Sequence, residues 1–137
     1  MRARPQVPTE IVERLRAICR ALPETREEQA WAGTRWCIRK ANFAHVLTIE
    51  NGWPAAYAKA AGSHGPLCVL TFRSAIAALD PLNYAETPFF RPVWFRDIVG
   101  MVLDEATDWA EVASLVRGSY RDLAPAKLVD RLPKAAP

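Results

Sequence analysis

Apolar residues recur at Ile11, Leu15, Ile18 and Leu22, three and four positions apart. That spacing predicts an amphipathic helix with Thr9 as its cap and Pro23 as its stop. Arg14, Arg16 and Arg20 interleave with Glu10 and Glu13 on its solvated side. The polar run over residues 24–29 reads as a connection. Beyond it the period changes to two. Trp36, Ile38 and Lys40 point one way and Arg35, Cys37 and Arg39 the other. After a turn at Lys40-Ala41-Asn42, the set Phe43, His45, Leu47 and Ile49 alternates with Ala44, Val46, Thr48 and Glu50. Such alternation predicts a β-hairpin with one face on a core.

Residues 51–66 begin and end in turn chemistry around an alanine-rich middle, so a long, mobile excursion holding one loose helical turn is expected. The run from Leu67 to Phe72 is apolar on both faces, which predicts a central or covered third strand. Ser74 can cap a short helix over residues 75–79, stopped by Asp80-Pro81. An aromatic, proline-rich approach over 82–96 leads to a fourth strand over 97–103. Asp108, with Glu111 three residues on, gives the last long helix an Asp version of the capping box. Its stripe Val112, Ala113, Leu115, Val116, Tyr120 and Leu123 faces a core, Ala124-Pro125 breaks it, and residues 127–132 make a terminal turn or helix. No internal repeat or linker divides the chain. The expectation is therefore one α+β domain over 1–137, with its core at about 9–128. In it an antiparallel sheet carries the N- and C-terminal helices on one face, leaving the other face solvated or used.

Composition narrows this picture without changing it. At 137 residues, 50% hydrophobic and 24% charged, the chain is ordinary globular material with enough length for a real core. It has no apolar run of 18 residues, and Met1-Arg-Ala-Arg-Pro5 lacks the apolar segment of a secretory signal, so a cytoplasmic protein with no membrane partner is expected. Cys19, Cys37 and Cys68 are far apart and form no CxxC pair, which suggests buried thiols in a reducing compartment, with no metal site and no cofactor. The net charge is only +3, but 14 of the 18 basic residues are arginine. Residues 1–68 carry ten basic against six acidic groups, whereas 69–137 carry eight against nine. The bias permits contact with phosphates, which arginine's planar fork suits.

Specific residues then point to a family. Trp31-x4-Trp36-x-Ile38-x4-Phe43-Ala44 aligns without a gap on the Trp-Gly-x-Pro-x-Phe-x-Val-x-Gly-Lys-x-Phe-Ala hairpin signature of the MmcQ/YjbR-like proteins. Leu115-Val-Arg-Gly-Ser119-Tyr120-Arg-Asp-Leu-Ala-Pro125-Ala-Lys127-Leu128 resembles that family's C-terminal Ser-Tyr-x4-Pro-Lys-x-Leu pattern, and Leu22-Pro23-Glu24 is similar to the end of its first helix. The matches span most of residues 9–128. Lys40-Ala41 replaces the family's Gly-Lys turn, Trp31-Ala32 its Trp-Gly pair, and residues 51–66 look longer than usual. The resemblance implies a frataxin-like (CyaY-like) fold and a DNA-binding role through a double-wing arrangement of sheet and hairpins.

Two sets of candidate residues follow. For DNA, Arg35 and Arg39 lie opposite Trp36 and Ile38, and with Lys40, Arg73, Arg91 and Arg96 they could line a basic patch. Trp36 itself is expected in the core. For the alternative, a small-ligand- or protein-partner-binding module, Trp53 and Tyr57 with Phe89, Phe90, Trp94 and Phe95 could rim an apolar pocket. The Phe89–Phe95 cluster with Arg91 also has the residue types that stack on single-stranded bases, or could simply plug a sheet edge. Catalysis has little to recommend it. There is no Gly-x-Ser-x-Gly elbow, P-loop, HExxH or dinucleotide fingerprint, and a non-enzymatic protein is expected. His45 reads as a hydrogen-bonded core histidine. Cys37, beside Arg35, Arg39 and Lys40, has only its cationic neighbours to suggest an activated thiolate. The first helix is too basic for the acidic ridge that iron binding on such a fold would need, and fold alone does not carry function.

Overall fold

A computed structural model describes residues 5–133. Helix α1 (Thr9–Arg20) buries Leu15 of the predicted stripe and half-buries Ile11 and Ile18, and Cys19 is buried beside them. Thr9 is not its cap, however. Pro8 holds the N-cap position with an extended ψ of 131°, its carbonyl accepts from Ile11 and Val12, and no side chain caps the helix.

The polar run after α1 is a strand rather than a connection. β1 (Thr25–Gln29) pairs antiparallel with β2 (Thr34–Ile38), setting Glu27 opposite Trp36 and Glu28 opposite Arg35. It forms one edge of a six-stranded sheet of order β1-β2-β3-β4-β6-β5, every neighbouring pair antiparallel. A charged edge strand resists pairing with other chains, and the same charges hide it from any search for apolar alternation.

β2 and β3 (Ala41–Ile49) form the expected hairpin, with its turn at Arg39-Lys40 rather than Lys40-Ala41-Asn42. Arg39 sits at φ 54°, in the left-handed region that a two-residue turn commonly requires. The register passes from Trp36↔Ala44 to Cys37↔Asn42, so Phe43 is the extra residue of a β-bulge. One extra residue reverses the alternation. Phe43 therefore faces the helices, meeting Tyr120 edge-on at 5.6 Å, while His45, Leu47 and Ile49 stay on the opposite face.

β4 (Leu67–Arg73) is central, between β3 and β6 (Ile98–Leu103), and the two-residue β5 (Phe89–Phe90) closes the far edge. α1 and α4 (Trp109–Leu123) pack on one face over Trp36, Phe43, Leu70, Phe72 and Met101. Asp108 caps α4, accepting from the N–H groups of Ala110 and Glu111 at 3.0 and 3.2 Å. Ser119 ties α4 to the sheet: its hydroxyl donates to the Phe43 carbonyl at 2.7 Å and accepts from the Arg73 N–H at 2.9 Å. This bridge satisfies backbone groups beside the bulge. Tyr120 donates to the Pro23 carbonyl at 2.7 Å, and α5 (Ala126–Val129) buries Leu128 in the same core.

The second sheet face is neither bare nor fully open. Residues 51–66 are not a loose excursion but carry helix α2 (Ala55–Ala61), which closes on Gly62 at φ 67°. Ala58, Tyr57 and Trp53 pack on Leu47, Ile49 and Val69 to make a second, smaller core. Phe90 joins it by lying on Gly100, where a Cβ would come within 2.2 Å of the ring, so only glycine admits that contact. α3 (Ala75–Leu79) is capped by Ser74 as its sequence predicts. Among the described residues no helix is long and apolar enough to cross a membrane.

Candidate functional site

Strand alternation sets Arg26 and Glu28 of β1, Arg35 and Cys37 of β2, Asn42 and His45 of β3, and Thr71 and Arg73 of β4 on the face away from α1 and α4. α2 covers only part of that face. Two features occupy the remainder: a basic corner at the β2–β3 turn, and a pocket beside it.

The corner holds Arg26, Arg35, Arg39 and Lys40. Glu28 accepts from both Arg26 (3.0 Å) and Arg35 (2.8 Å), and these two guanidinium groups hold its carboxyl below the usual range, Arg26 having the larger effect. Arg26 also donates to the carbonyl of Arg39, which fastens the turn to β1. The side chains of Arg39 and Lys40 are exposed, with no hydrogen bond or ion pair among the described residues. Arg26 was hidden from sequence reasoning because β1 was. Once β1 is recognised as an antiparallel partner of β2, its place beside Arg39 follows from register alone.

The pocket measures about 210 Å³ and is lined by Asn42, His45, Tyr57, Thr71 and Arg73, with Trp94 and Phe95 among its apolar walls. His45 makes up part of the floor. Its Nε2 lies 2.6 Å from the Ala32 carbonyl, which can only accept, so Nε2 carries the proton and Nδ1 accepts from the Tyr57 hydroxyl at 3.3 Å. Burial pushes the histidine's pKa down, only partly offset by the Ala32 bond, so the ring stays neutral. Burial likewise pushes the Tyr57 hydroxyl up, keeping it protonated. Trp94 stands against Tyr57 at 4.7 Å, and Phe95 lies over the Arg73 guanidinium at 4.6 Å. Arg73 donates to Asp97 at 2.6 Å.

The structure thus divides both predicted sets. Arg35, Arg39 and Lys40 come together at the corner; Arg73 belongs to the pocket. Arg91 is a structural clamp: its guanidinium donates to the carbonyls of Ala77, Asn83, Arg96 and Ile98, binding the loop over 91–97 to α3 and the turn that follows. Arg96 is exposed and reaches the Ala78 carbonyl. Of the aromatics, Tyr57, Trp94 and Phe95 line the pocket. Trp53 packs in the second core against Trp31, Phe89 packs against Tyr84 on the helix side, and Phe90 covers Gly100. Trp36 is buried, its indole N–H donating to Glu27 at 3.0 Å.

The thiols show no sign of activation. Burial and then the Glu28 carboxylate push the Cys37 thiol up, outweighing Arg26 and Arg35, and burial raises Cys68 to about 12. No three His, Cys, Asp or Glu side chains among the described residues lie close enough to hold a metal ion. No family model matches this chain, and no curated protein matches it.

Proposed function

We propose that the protein is a non-enzymatic DNA-binding domain of the MmcQ/YjbR-like type, acting in the cytoplasm and holding phosphates at the β2–β3 hairpin corner. The observation that carries this reading is the concentration of charge: four cations against Glu28 give the corner a net +3, equal to the net charge of the whole chain. Glu24, just before β1, does not cancel it, because Arg131 pairs with that carboxylate at 3.3 Å. Arg39 and Lys40 are free to meet phosphates, and Arg35 and Arg26 are oriented behind them by their shared carboxylate. The hairpin resemblance and the arginine bias support the same conclusion. So does the cysteine chemistry, since all three thiols are free and suited to a reducing compartment.

Such a corner recognises the sugar-phosphate backbone rather than sequence, because no helix or ribbon of base-reading side chains is presented there. Its binding should fall steeply with salt as counterions return to the phosphates. Fluorescence anisotropy of a labelled oligonucleotide across a salt series is the test. Salt-dependent binding supports the assignment; no binding at about 50 mM salt, where non-specific attraction is strong, retires it.

A further inference from the structure

The pocket beside the corner has polar groups that the fold leaves unused. Asn42 lines it with a half-buried amide that makes no side-chain hydrogen bond, and the Thr71 hydroxyl has none either. Arg73 carries five N–H donors, of which only one is engaged, by Asp97, and its Nε is buried with no partner at all. Buried polar groups are nearly always paired, and Arg73 Nε is the one buried side-chain polar atom without a partner among the described residues; with the unpaired but accessible Asn42 amide and Thr71 hydroxyl lining the same cavity, it describes a site rather than a packing gap.

Its chemistry is specific. The Arg73 charge is matched by Asp97, and His45 and Tyr57 are both neutral, so the cavity selects for hydrogen bonding and not for an anion. Trp94 and Phe95, 36% and 57% exposed, offer large aromatic faces at the mouth. At about 210 Å³ the space is smaller than the roughly 300 Å³ at which pockets for drug-sized ligands begin, and it suits one flat heterocycle. Finally, Asn42 follows Lys40 by two residues, so its Cα stands within about 7 Å of the Lys40 Cα and the pocket rim adjoins the turn that carries the free cations.

We propose that this pocket takes one unpaired nucleobase of a strand whose phosphates lie on the basic corner, an inference that rests on the nucleic-acid reading above. The base stacks on Trp94 and Phe95 while its polar edge meets Asn42, Thr71 and Arg73. Single-stranded DNA is then preferred over duplex, because a paired base cannot enter.

The test compares anisotropy for labelled oligothymidylate, an abasic strand of equal length and a duplex, for wild type, a Trp94→Leu/Phe95→Leu variant and Asn42→Ala. Trp94 and Phe95 are surface side chains, so the double variant should fold, and Asn42→Ala probes the polar end without touching the aromatic wall. The base-bearing strand should bind at least about fivefold more tightly than the abasic one, the usual gain from stacking one base. The double variant should erase that preference while keeping the salt dependence, and Asn42→Ala should reduce it. Equal affinity for the abasic and base-bearing strands overturns the inference, while their salt-dependent binding leaves the phosphate reading standing. Absence of salt-dependent binding to any strand overturns both. Thermal stabilisation by free thymidine or adenosine, with no preference for base-bearing strands, overturns the strand as the source and makes the cavity a metabolite site.

Discussion

The decisive perturbation is the removal of the two unpaired cations at the hairpin turn. Arg39 sits at φ 54°, so asparagine, which tolerates the left-handed region better than other non-glycine residues, is the substitution that removes charge without adding backbone strain. Lys40→Gln completes the pair. Four corner cations set an upper bound of four phosphate contacts, which for duplex DNA gives a slope of log affinity against log salt of about −3.6. Affinity should then fall about 150-fold between roughly 50 and 200 mM salt. With Arg39→Asn/Lys40→Gln the slope should halve to about −1.8, and the same change of salt should cost only about 12-fold. Arg26 and Arg35 cannot compensate fully, because Glu28 holds both. The exposed pair Arg117 and Arg121 on α4 serves as the control, and changing both to glutamine should leave the slope alone. An unchanged slope in the turn variant, or an equal loss in the helix control, would refute the assignment of binding to the corner.

Three further outcomes test the fold that supports the site. Gly33→Ala should destabilise by more than about 2 kcal/mol in urea denaturation, because Gly33 sits at φ 72° and a Cβ there would lie 1.8 Å from the Val46 carbonyl oxygen. Ser119→Ala should cost about 2–3 kcal/mol in the same assay, since it strands a backbone carbonyl at Phe43 and an N–H at Arg73 together. His45 makes stability depend on pH. Its pKa is lower folded than unfolded, so below about pH 6.5 the unfolded chain binds more protons, and stability declines as pH falls until the folded ring also titrates. His45→Gln should flatten the urea midpoint between about pH 6.5 and the onset of carboxylate titration. A wild-type midpoint that does not move there would show that burial leaves the ring unperturbed.

Elements with an apolar stripe were legible in the chain. The three- and four-residue spacing of α1 and α4 and the alternation in β2 and β3 are local records of which side chains leave water, and each element appears where that record places it, with Phe43 alone turned to the other face by the bulge. The caps of α3 and α4 were equally readable, because an N-cap involves side-chain and backbone groups only three residues apart. The serine and tyrosine of the C-terminal motif illustrate the limit. Their presence was plain in the sequence, but their partners, the Phe43 and Pro23 carbonyls, lie 76 and 97 residues away.

By itself, then, the sequence determined the α+β class, the antiparallel hairpin, the buried Trp36 and the bias toward arginine. Tertiary structure alone decided that a charged segment joins the sheet as β1, that Phe43 bulges toward the helices, and that α2 partly covers the opposite face. It also decided the fates of the cations: Arg26 was added to the turn, Arg73 drawn under Phe95, and Arg91 committed to backbone carbonyls. Periodicity reports burial because every residue of a strand or helix faces the core at a fixed phase. The partner of a charged side chain depends instead on strand register and loop path, and no local pattern encodes either one.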